Sequence, residues 1–331
     1  MTQGATSRTT TATPRDGERA AHPITTTRYH HAEGPVYDDR TGELAWVDIY
    51  AGNVHVAALD PASGELSEPR TYAVGRSAGA LAPCEDPDAG WVVAGTMGFL
   101  LLGRHGAVEP LAQPEAGAVP ETRMNDGKCD LVGGFWAGSM GWGKEHGAGR
   151  LFRLDPDGTC DTVLVDVTIS NGLAWVDDRT VHFVDTPTHG VDLLRYDLDG
   201  ARVRVVSRAR AFDIPPELGA PDGMSVDAEG YLWIALWGGG SVGRFAPDGR
   251  LLERVTVDAS QVSSCTFAGP DLRTLVITTS QEGFTSEQSA AEPSSGRLFA
   301  ARVDVPGLAV DRFAAQPSAS VTDPATAASA R

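Results

Sequence analysis

Glu33-Gly34-Pro35-Val36, Ala78-Gly79-Ala80-Leu81, Asp126-Gly127-Lys128-Cys129, Asn171-Gly172-Leu173-Ala174, Asp222-Gly223-Met224-Ser225 and Ser264-Cys265-Thr266-Phe267 share one pattern. Each opens on a polar or small residue, usually followed by glycine, and continues into an alternating apolar run. Their first residues lie 45, 48, 45, 51 and 42 positions apart. That spacing suits the about 40–50 residues that a four-stranded propeller blade occupies.

A second run of aromatic and β-branched residues follows each copy, as in Leu44-Ala45-Trp46-Val47-Asp48 and Tyr231-Leu232-Trp233-Ile234. Third runs often end in hairpin-forming Asp-Gly pairs, such as Asp157-Gly158 and Asp199-Gly200. The runs are short, alternate with period two and are separated by helix breakers, which argues against a helical solenoid. A two-sheet sandwich would not produce six evenly spaced copies. The chain is therefore expected to be all-β, a six-bladed β-propeller with four-stranded antiparallel blades. The 38 glycines and 21 prolines in 331 residues fit many short strands and tight turns.

The propeller is expected over residues 22–314. Its flanks, a Thr/Arg-rich segment at 1–21 and an Ala/Ser-rich tail at 315–331, lack the apolar surface to offset ordering entropy and are expected to be disordered. Acidic residues outnumber basic ones, 44 to 27, giving a formal charge of −17. Such a surface repels phosphate backbones and anionic membranes. No nucleic-acid or membrane partner is expected, and nothing implies an obligate protein partner. The absence of an apolar secretory core or an 18-residue apolar stretch predicts a cytoplasmic location. Cys84, Cys129, Cys160 and Cys265 form no C-x-x-C pair and are expected to be reduced core thiols.

In a propeller the innermost strand of each blade runs beside the central channel, so the residues opening the six copies converge on a shared mouth. They are Glu33, Ala78, Asp126, Asn171, Asp222 and Ser264. Asp-Gly and Asn-Gly are common turn pairs, but four oxygen-bearing residues in register across blades exceed what turns require. Gathered together, they would repel one another and be costly to desolvate without a cation. Oxygen donors select one hard divalent ion, Ca²⁺ first, with Mg²⁺, Mn²⁺ or Zn²⁺ as variants.

Seven segments in order resemble the regucalcin/gluconolactonase (senescence marker protein) family of six-bladed, metal-dependent sugar lactonases. They are Glu33-Gly-Pro, Arg123-Met-Asn-Asp-Gly-Lys-Cys-Asp, Phe135-Trp-Ala-Gly-Ser-Met, Ser170-Asn-Gly-Leu-Ala-Trp, Phe183-Val-Asp-Thr, Pro221-Asp-Gly-Met and Ser264-Cys-Thr-Phe-Ala-Gly-Pro-Asp-Leu. The resemblance implies that Glu33, Asn171 and Asp222 are metal ligands, that Asp222 is also the acid/base group, and that Arg123 and Asn125 contact the substrate. It departs where relatives carry a substrate-contacting Glu: here stand Gly141-Trp142-Gly143, with Glu145 the nearest acid. Strand neighbours face opposite ways, so Asn125 is given the site role and Asp126 a supporting or turn role.

The expected reaction is hydrolysis of an aldonolactone to the aldonate in carbohydrate metabolism. The metal would polarise the carbonyl, Asp222 would pass a proton from water to the departing ring oxygen, and Arg123 would meet the developing charge. No G-x-S-x-G elbow suggests a serine nucleophile. Two alternatives are a promiscuous esterase or phosphotriesterase on the same metal and a non-catalytic calcium-binding propeller. His30 and His31, just before Glu33, are expected at a solvated strand end, or alternatively at the border of the mouth. Trp142 and Trp237 are expected in inter-blade packing, or alternatively at a sugar-binding rim.

Overall fold

A computed structural model describes residues 18–60, 63–200 and 202–315. Six antiparallel sheets radiate from a central channel, one blade per repeat copy. Their innermost strands are Ala32–Asp38, Ala78–Pro83, Thr122–Cys129, Ser170–Asp177, Ala220–Val226 and Val262–Ala268, in blades 1 to 6. The ring closes through the chain start: His22–Pro23 pairs with Phe299–Arg302 and becomes the outer strand of blade 6. This shared blade ties the first part of the chain to the last.

Residues 18–20 depart from the expected disordered flank. They pair in parallel with Arg254–Thr256 and give blade 5 a fifth strand. Residues 1–17 and 316–331 lie outside the described residues. At the other end, the Phe313 backbone donates to Pro83 and its ring is buried between blades 2 and 3. Among the described residues no helix is long and apolar enough to cross a membrane. Cys84, Cys129 and Cys265 are free and buried; Cys160 is free and half-buried.

The repeated glycine has a packing cause. A Cβ on Gly79 would stand 2.6 Å from the carbonyl oxygen of Asn125, and one on Gly172 2.6 Å from that of Asp222. Inner strands of neighbouring blades thus approach closer than a side chain allows, and the glycine draws the oxygen-bearing residues together. Each inner strand also shifts register against its neighbour at this position: between Glu33 and Val36, Met124 and Gly127, Asn171 and Leu173, and Pro221 and Met224 in the four polar blades. A β-bulge there breaks the alternation and re-aims side chains toward the channel.

Blades 3 and 5 contain the same buried staple. Asp130 Oδ2 accepts from Trp136 Nε1 at 2.8 Å and Arg153 Nε at 2.7 Å, while its Oδ1 accepts the turn N–H groups of Val132 and Gly134. Asp227 Oδ2 likewise accepts from Trp233 Nε1 at 3.0 Å and Arg244 Nε at 2.7 Å. One carboxylate joins the first three strands of its blade. Asp130→Ala would strip Arg153, 1% exposed, of its buried partner at Nε and leave it only Asp155, itself partly exposed. We expect a loss of about 3–5 kcal/mol, read as a lower urea midpoint at unchanged slope.

Candidate active site

Inner strands begin at one mouth of the channel, and second strands end there. The two sets of strand ends enclose a small cavity of about 80 Å³. Glu33, Arg123, Asn125, Asn171 and Asp222 all line it. They come from blades 1, 3, 3, 4 and 5, and each is less than a tenth exposed. Residues separated by up to 189 positions are brought together by the blade symmetry.

Hydrogen bonds fix both amides. Thr186 Oγ1 donates to the Pro221 carbonyl and therefore accepts from Asn171 Nδ2 at 3.1 Å, which fixes which end of the Asn171 amide carries the oxygen. Asn125 Nδ2 donates to the Ser170 carbonyl at 2.9 Å, so Asn125 Oδ1 accepts from Arg123 Nη1 at 2.7 Å. Arg123, 1% exposed, lies beside Tyr50 and Trp142, with ring centroids 5.1 and 5.8 Å from Cζ. Its Nε is buried without a partner. It retains donor capacity for a ligand.

The carboxylates are in conflict. Burial, then the charges of Asp222 and Asp126, push Glu33 well above the ordinary carboxylate range. Burial, then Asp126, does the same to Asp222, partly offset by a hydrogen bond with Asn171. Asp126 does not line the cavity, yet its charge reaches both groups. Across the bulge between Met124 and Gly127, Asn125 lines the cavity and Asp126 does not. Among the described residues no group of three or more His, Cys, Asp or Glu is arranged to hold an ion. The candidate donor set is instead two carboxylates and one amide, an oxygen-only set whose mutual repulsion suits a hard cation.

Several wall residues were not expected from the sequence. His31 is not at a solvated strand end: it is 6% exposed, lines the cavity and stacks on Trp237 at 5.4 Å. His30 is exposed. Trp237 lines the wall, whereas Trp142 packs between Arg76 and Arg123. Glu145 turns away and accepts from its own loop at Gly143 N. The further acid in the cavity is Glu282, from blade 6. The missed signal is positional: Tyr50, Thr186 and Glu282, like the two tryptophans Trp142 and Trp237 already considered for the rim, lie at, or within three residues of, the end of a second strand.

Residues 31–281 match the family described as SMP-30/gluconolactonase/LRE-like region. The chain belongs to this family. It is 38% identical to 6-deoxy-6-sulfogluconolactonase of Pseudomonas putida over 85% of this chain and 94% of that one. It is 36% identical to pentonolactonase XacC of Haloferax volcanii over 82% and 90%. Among solved structures, the calcium-binding protein regucalcin from Agrobacterium tumefaciens aligns with TM-score 0.81 and 28% identity, over 89% of this chain and 98% of that one.

In this member of the SMP-30/gluconolactonase family, the raised carboxyls link stability to pH. A folded-state pKa above the unfolded value means that the folded protein binds more protons between the two, so stability falls as pH rises through that window. Metal-stripped Asp222→Asn is therefore expected to melt a few degrees above stripped wild type at pH 7.5, with the gap closing toward about pH 4. A thermal melt at both pH values checks this.

Proposed function

We propose that this protein hydrolyses the ester bond of a sugar lactone, with Glu33, Asn171 and Asp222 holding one divalent cation. The observation that carries this reading is the meeting of two mutually repelling buried carboxylates, two oriented amides and an arginine with a free donor in one small cavity. The lactonase names of the relatives and the calcium-binding description of the structural neighbour support it. An oxygen-only donor set favours Ca²⁺ over softer metals. Bound there, the ion would polarise the carbonyl and acidify water.

The chain's own groups divide the remaining work. Asp222 accepts the proton of the attacking water and returns it to the ring oxygen as the ring C–O bond breaks; the product is an open-chain hydroxy acid. Arg123 donates to the carbonyl oxygen as negative charge accumulates, in a site where low dielectric strengthens each such bond. Asn125, tied to Ser170, keeps the guanidinium in place. The hydrogen bond between Asn171 and Asp222 orients the acid/base carboxylate.

Chelator-stripped protein, reloaded with Ca²⁺, Mg²⁺, Mn²⁺ or Zn²⁺ and offered D-glucono-1,5-lactone and pentonolactones, tests the reading by acid release. Turnover should require metal, and Asp222→Asn should lower kcat by about 10²–10⁴-fold. Full activity in that variant, or turnover indifferent to chelation, would refute the mechanism.

A further inference from the structure

Three carboxylates line the cavity: Glu33, Asp222 and Glu282. Glu282 stands apart from the other two. Its Oε1 accepts the Tyr50 hydroxyl at 2.5 Å and pairs with Lys144 Nζ at 3.2 Å. Its Oε2 lies 3.5 Å from His31 Nδ1, a stretched contact beyond ordinary hydrogen-bond length. That nitrogen is buried and has no hydrogen-bond partner. A carboxylate offers about four acceptor positions, so Oε2 has spare capacity opposite an unpartnered nitrogen. Although burial opposes ionisation, His31, the Tyr50 hydroxyl and Lys144 together outweigh it and hold Glu282 well below the ordinary carboxylate range.

Resting on the lactonase reading, we infer that Glu282 is a specificity residue that accepts a hydrogen bond from a ring hydroxyl of a polyhydroxylated lactone. The Tyr50 hydroxyl that Glu282 accepts also meets Arg123 Nη2 at 3.4 Å, so Glu282 stands one hydroxyl away from the guanidinium assigned to the carbonyl end, within reach of a neighbouring ring hydroxyl. Beside it, Trp237 stacked on His31 presents a flat apolar wall of the kind that covers the C–H face of a sugar. A hydroxyl both donates and accepts, which matches the gap between Oε2 and Nδ1. Lys144, with its side chain 50% exposed, is free to swing as the substrate enters. The acid missing at positions 141–143 is thereby supplied by blade 6, beside Lys144.

Glu282→Met keeps the length and removes the acceptor. Its kinetics are compared with wild type on D-glucono-1,5-lactone and on δ-valerolactone, which has the ester but no hydroxyls. The expected result is a rise in KM of about 10–100-fold for the sugar lactone, at nearly constant kcat, with δ-valerolactone unaffected. Equal losses on both lactones, which a purely structural role through Tyr50 and Arg123 would give, or no loss on either, overturns the inference. Should Glu282→Met melt early, Glu282→Asp, which keeps the charge but withdraws it, is read by the same criterion. If wild type does not turn over both lactones, calorimetric titration with 1,5-anhydro-D-glucitol, which keeps the hydroxyls and lacks the ester, decides instead. Weaker binding to the variant by the same factor supports the inference, and equal binding overturns it; absence of any lactone turnover defeats the lactonase reading separately.

Discussion

The repulsion between the buried carboxylates of Glu33 and Asp222, sharpened by Asp126 behind them, is the constraint on which this structure turns. Burial first, then Asp222 and Asp126 acting on Glu33 and Asp126 acting on Asp222, raise the proton affinity of the two cavity acids and oppose folding at neutral pH. The rest of the fold is arranged to hold them there. Close approach at Gly172 presses the Asn171 strand against the Asp222 carbonyl. Bulges turn successive residues toward the channel, and the staples centred on Asp130 and Asp227 lock the blades that carry Arg123, Asn125 and Asp222. A cation held there, as proposed, would relieve the conflict and couple its binding to the stability of the inner ring.

The sequence disclosed the inner ring because symmetry repeats it. Five of the six copies carry glycine at this position, and at Gly79 and Gly172 it lets the neighbouring inner strand pass, so the glycine marks the phase and the residue before it marks the channel. That simple phase locates Glu33, Asn171 and Asp222. It falters at blade 3, where the residue before the glycine is Asp126 but the cavity wall carries Asn125, because the bulge between Met124 and Gly127 is invisible to a period-two pattern.

The rim was less legible. Glu282, Lys144 and Thr186 lie on connections after second strands, whose lengths and compositions differ from blade to blade. Blade 6 hides its third strand most effectively: the connection that contains Glu282 also carries the helix Ser286–Ala291 before Phe299–Arg302 resumes the sheet. The closing strand His22–Pro23 is only two residues long and sits far from its blade in sequence. The strand at residues 18–20 owes its order to a free edge on blade 5, a tertiary circumstance that composition does not encode. Ring and rim thus divide the function: the symmetric part sets the chemistry available, and the irregular part sets which molecule receives it.

The most direct measurement of the central claim is anomalous diffraction from crystals equilibrated with Mn²⁺ or Ca²⁺. A single strong peak in the channel mouth, within about 2.0–2.6 Å of oxygens of Glu33, Asn171 and Asp222, is the predicted result. A peak held by other residues, or none at saturating metal, would contradict the account.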